Sequence, residues 1–83
     1  MKAYVFVTED GEAAQRLVHE AGERGFNVQL YVGDGSESVG MRQMYDVTTR
    51  PAALVTLDDG AYVHMWQGAL PTVAELNHAV RGM

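Results

Sequence analysis

The sequence predicts a single α/β domain over residues 1–83, with element order β-α-β-α-β-β-α, a four-stranded mixed sheet and helices on both of its faces. Three observations carry this. Strand-like apolar runs alternate with runs of helical period. The first strand, helix and second strand form a β-α-β unit, which implies parallel pairing and a right-handed crossover. The turn "DDG", Asp58 to Gly60, then joins two strand-like runs directly, as in a hairpin.

The first strand is "KAYVFV", Lys2 to Val7, β-branched, aromatic and apolar almost throughout, as suits a central strand covered on both faces. Glu12 to Glu23 changes period, with Ala13, Leu17, Val18 and Ala21 on one face. Asp10 is its expected N-cap, and Gly25 its expected stop. Asn27 to Val32, "NVQLYV", alternates as a second strand. "GDGSES" is a loop from which Ser36 or Ser38 is expected to cap a short helix running through Tyr45. Its glycines are followed by no lysine, so it is not a phosphate-binding loop. Ala52 to Leu57 is a third strand and Tyr62 to Trp66 a fourth, antiparallel to it. Thr72 to Glu75 is a capping-box pattern that opens a last helix, with Val73, Leu76, Ala79 and Val80 on its inner stripe.

Composition narrows the function classes. The formal net charge is -5, and an acidic surface repels phosphate backbones, so nucleic acid is not an expected partner. No apolar run approaches the roughly 20 residues of a membrane span, and the N-terminus does not read as a signal peptide. With Cys 0, the expectation is a cytoplasmic protein. His19, His64 and His78 show no metal-ligand spacing, so no metal and no cofactor are expected.

Three stretches carry a family resemblance. "YDVTTRPAALVTLDDG", Tyr45 to Gly60, resembles the thioredoxin pattern of a tyrosine, a short polar turn, a cis-proline, a strand and a glycine turn. "GALPTVAELNHAV", Gly68 to Val80, is similar to the segment entering the last thioredoxin helix. "TEDGEAAQRL", Thr8 to Leu17, resembles the glutaredoxin stretch that leads into the two active-site cysteines. The resemblance spans essentially the whole chain. It implies a thioredoxin-like fold, a cis bond before Pro51, and Glu12 and Gln15 at the two cysteine positions. Thiol–disulfide exchange needs a thiolate attacking a sulfur, so a chain without cysteine cannot perform it.

The candidate site is therefore the surface such a fold would use for chemistry: Glu9, Asp10, Gly11, Glu12 and Gln15 at the first helix start, and Arg50, Pro51 and Ala52 at the proline loop. Glu9, Asp10 and Glu12 form an acidic rim that selects a basic partner and repels free anions, or simply complement the helix dipole. Arg50 is positioned to pair with Glu12 or Asp10, or to meet an anionic ligand. By alternation, Tyr62, His64 and Trp66 share one side of the fourth strand, with Val63 and Met65 on the other. Left uncovered, that row is a second binding surface or a homodimer interface; covered by the last helix, it is core.

The leading expectation is a redox-inactive binding module that docks a protein partner, as an adaptor, a subunit or a small inhibitor, including one carried by a phage. Affinity would come from an extended partner segment pairing with the edge at the proline loop. The alternative is an enzyme or small-ligand protein using non-thiol groups, with Glu12, Arg50 and His64 as its candidates.

Overall fold

The computed structural model describes residues 1–81. Seven elements follow in order: β1 (Lys2–Val7), α1 (Glu12–Glu23), β2 (Asn27–Val32), α2 (Ser36–Met44), β3 (Ala52–Thr56), β4 (Tyr62–Gln67) and α3 (Val73–Arg81). The four strands form one mixed sheet in the order β2-β1-β3-β4. β1 runs parallel to β2 and antiparallel to β3, and β3 runs antiparallel to β4. The two apolar strands, β1 and β3, are thus interior, while the half-polar strands β2 and β4 form the edges, as solvent contact at an edge requires.

Alternation along β1 divides the buried side chains into two clusters. Ala3, Val5 and Val7 join Ala14, Leu17 and Ala21 of α1, Val55 of β3 and Leu76 of α3. Tyr4 and Phe6 join Val47, Ala52 and Leu54, with Met41 of α2 and Tyr45 packed against them. Tyr31 lies over this second cluster, its ring stacked on Phe6 with centroids 5.4 Å apart. Burial, helped by the nearby charge of Glu37 and by the Tyr4 phenol, raises the Tyr31 phenol above its usual value.

The helix ends show where local chemistry departs from the sequence reading. At α1 the N-cap is Gly11, not Asp10, and no side chain caps the helix. The Asp10 carboxylate instead accepts from Gly11 N at 2.8 Å and from Gln15 Nε2 at 3.0 Å. At α2 the cap is Gly35, because Ser36 is already helical and Ser38 is buried. The α1 face is turned by one position: Ala14 is buried beside Leu17 and Ala21, and Ala13 is exposed. The α1 terminus agrees with expectation. Gly25 has φ 92, Phe26 N bonds Ala21 O at 3.1 Å and Gly25 N bonds Gly22 O at 3.1 Å. That pair of bonds is a Schellman closure, and the positive φ explains the glycine.

The capping box of α3 is formed in both directions: Glu75 N donates to Thr72 Oγ1 at 3.1 Å, and Thr72 N to Glu75 Oε1 at 3.1 Å. Thr72→Ala removes one of these bonds from a nine-residue helix, and the expected cost is about 1 kcal/mol in urea unfolding. Thr72→Ser is expected to keep most of it.

One further departure concerns β4. A register shift falls between Val55 and Thr56, where Thr56 pairs with Tyr62 and Val55 with His64, so Val63 is the extra residue of a bulge. Val63 therefore packs with Trp66 against the first cluster, while Met65 packs against the second. Strict alternation would have put Val63 and Met65 together.

Candidate functional site

The strand register gathers one set of loops. Val7 pairs with Val32, and Phe6 pairs with Ala52, which pairs in turn with Gln67. The end of β1, the end of β2, the start of β3 and the end of β4 are thus all at one end of the sheet. The Thr8–Gly11 loop, the Gly33–Gly35 turn and the loop before Pro51 project from it. Gly33 N bonds Val7 O at 2.9 Å, which holds the first two together. Ligands of α/β sheets commonly bind beyond the carboxyl ends of strands, where connecting loops converge on a rigid base.

The predicted residues fall here, though not all as surface. Glu9, Asp10, Gly11, Glu12 and Gln15 are exposed. Asp10 and Gln15 hold each other, and Glu12 pairs with Arg16 at 3.0 Å one helical turn away. Arg50 meets neither acid: its Nη1 lies 3.2 Å from Gly33 O and 3.2 Å from Asp34 Oδ1. The Arg50–Pro51 peptide bond is cis, and Pro51 is exposed. Ala52 is fully buried, its backbone paired to β1 on one side and to β4 on the other. It packs the base of the site and offers a partner nothing. An interior strand cannot accept a further strand, so only the residues before it remain for pairing.

Sequence reasoning missed the groups that shape this end. Gln67 Oε1 accepts from the main-chain N–H groups of Thr48 and Thr49 at 2.8 and 3.1 Å, and lies within reach of both hydroxyls. Gly68 N bonds Pro51 O at 2.9 Å. The loop before β3 is thus held by the residues that follow β4. Arg42 of α2 reaches the same Asp34 Oδ1 at 2.8 Å and donates from Nε to Ser38 Oγ at 3.3 Å. Two guanidiniums from separate elements therefore meet one carboxylate beside a hollow lined by Asp34, Arg42, Gln43, Asp46 and Thr48. No spacing rule joins positions 34, 42 and 50, and by sequence Asp34 is simply part of a loop.

The second surface is partly covered. His64 stands edge-on to Trp66 with centroids 4.6 Å apart. Both line a groove of about 470 Å³ against Ala74, Glu75 and His78 of α3. Tyr62 lies outside that groove and is exposed at the sheet edge. Glu12, Arg50 and His64 are not brought together: Glu12 pairs within α1, Arg50 with Asp34, and His64 packs on Trp66. Among the described residues no group of three or more His, Asp or Glu is placed to hold a metal ion. None of the described helices is long and apolar enough to cross a membrane. Compared with protein-family models and with curated proteins, the chain matches none of either.

Proposed function

We propose that this chain is a thioredoxin-like domain without sulfur that binds a protein partner at the loop end of its sheet. In this reading α1 and α3 cover one face of the sheet and α2 the other. The division of buried side chains supports it: α1 and α3 share one cluster and α2 contributes to the other. The acidic start of α1 and the cis-proline loop then lie where that family carries its redox groups. With Cys 0, that surface can contribute recognition and no electron transfer.

The observation that carries the binding reading is the state of the main chain before β3. Thr48 and Thr49 give their N–H groups to Gln67, and Pro51 gives its carbonyl to Gly68. Between them, the Arg50 main chain makes no hydrogen bond among the described residues. One unpaired peptide step, framed by pinned neighbours on the rim of a sheet, is a preformed docking point for an extended segment. Ordering it costs little, because the flanking residues are already fixed. Glu9, Asp10 and Glu12 supply charge selectivity for basic side chains of that segment.

The test is capture of partners from native lysate by the tagged chain, followed by affinity measurement with the purified partner. Two variants probe the surface: Glu9→Lys with Glu12→Lys, which reverses the rim, and Thr49→Arg, which crowds the loop. Each is expected to weaken binding about tenfold or more, equivalent to about 1.4 kcal/mol, with the thermal midpoint little changed. Parent-like affinity in both variants would overturn this placement of the site.

A further inference from the structure

We infer that Arg42 and Arg50 form a receiving clamp for a carboxylate on the partner, and that Asp34 is its resident occupant in the free protein. This deepens the docking reading above and rests on it for the source of the carboxylate. The two arginine side chains are only 18% and 19% exposed, whereas Asp34 is 69% exposed. Two largely buried cations thus share one carboxylate oxygen that is itself in solvent. Holding the Gly33–Gly35 turn against the loop before β3 needs one arginine, not two. The two guanidiniums have one carboxylate between them, and their open donors face solvent, since no buried side-chain nitrogen or oxygen lacks a partner among the described residues.

The donor inventory points the same way. Arg42 uses Nε on Ser38 and one terminal nitrogen on Asp34. Arg50 uses one terminal nitrogen, shared between Gly33 O and Asp34. Most N–H donors of the two guanidiniums have no protein acceptor, and the planar fork that favours two-point binding of a carboxylate is not used by Asp34 at either arginine. Asp46 shares the hollow with Arg42 but forms no ion pair with either arginine among the described residues.

Asp34 is also built to leave. Its side chain is mostly exposed and has no partner but the two arginines among the described residues, so it can turn to solvent while Gly33 N stays on Val7 O. The occupant's class follows from what the clamp already holds: a carboxylate at hydrogen-bonding distance from two guanidiniums. A partner segment entering at the Arg50 main chain passes beside this clamp, and its acidic side chain or its C-terminal carboxylate would replace Asp34. Of the acids at the start of α1, Asp10 is held by Gln15 and Glu12 by Arg16, and the rim faces basic side chains elsewhere on the same segment.

Sodium acetate tests the clamp without any partner, so its failure and the failure of the docking reading are separately visible. The arginine side-chain Nε–H resonances are followed by nitrogen-edited NMR, at constant ionic strength made up with chloride. Asp34→Asn is expected to give saturable shifts at Arg42 and Arg50, with a midpoint about tenfold lower than in the parent, where Asp34 competes intramolecularly. Should the new amide itself occupy the clamp, Asp34→Ala frees both arginines and is expected to show the same shifts. Adding Arg50→Gln to either variant should abolish them. Shifts no larger than chloride produces in both Asp34 variants, or shifts that survive Arg50→Gln, would overturn the clamp. Two short peptides then separate the sources: one carries an aspartate and an amidated C-terminus, the other a free C-terminus and no acidic side chain. Tighter binding of either to Asp34→Ala than to the parent supports the clamp and names the source; equal binding of both peptides to the two proteins counts against it.

Discussion

Phe6→Ala is expected to destabilise the fold by about 3–5 kcal/mol. Phe6 heads the fully buried side chains by size, and its cluster's other buried members among the described residues are Tyr4, Val47, Ala52 and Leu54. Its ring also stacks on Tyr31 at 5.4 Å with planes 12° apart. Removing it leaves a cavity that Ala52, its cross-strand partner, is too small to fill. A chain of this length has roughly 4–12 kcal/mol to lose, and at about 4–8 °C per kcal/mol the thermal midpoint should fall by more than about 10 °C. Urea unfolding followed by circular dichroism measures it, with the slope unchanged if the variant remains two-state. Phe6→Leu, which keeps most of the volume, is expected to cost much less. A loss under about 1 kcal/mol for the alanine variant would show that this side of the core collapses freely and is not the base on which the loop end stands.

Leu76→Ala is the second large effect, expected at about 2–5 kcal/mol. Among α3 residues only Leu76 is buried, at 1% exposure, and it joins α3 to the cluster shared with α1, β1 and β3. A helix of nine residues does not persist in water by itself. Its loss of anchorage should therefore appear as local opening before global unfolding. Amide hydrogen exchange is the discriminating measurement: α3 amides should speed up more than those of β1 and β3. Uniform acceleration across the molecule would mean that α3 opens only with the rest of the fold.

Most of the elements were legible because each segment repeats one period for several residues. "KAYVFV" has the continuous apolarity of an interior strand, and it lies second in the sheet order with both sides paired. Glycines with positive φ at 25 and 60 mark a helix end and a hairpin turn that only such a backbone makes. The bulge at Val63 was not legible, since an extra residue changes pairing without changing composition. The site was half legible. Exposed acids before α1 and the arginine beside Pro51 were visible as residue types in place. Which charges meet was not, because Asp34, Arg42 and Arg50 come from a turn, a helix and a loop whose adjacency is a product of the sheet order. Short-range complementarity offered Glu12 and Asp10 as partners for Arg50, yet Arg16 and Gln15, one turn or so along the same helix, claim them first. Proximity in the chain won over proximity imagined through a family pattern.

Gln67 gives the loop at Thr48 and Thr49 its course from 19 and 18 positions downstream. During synthesis that loop leaves the ribosome before the residue that shapes it. A nascent chain halted short of Gln67 holds the whole loop and lacks the brace that defines it. The course of this loop is thus conferred by the final hairpin strand, so it is not fixed until β4 has been made.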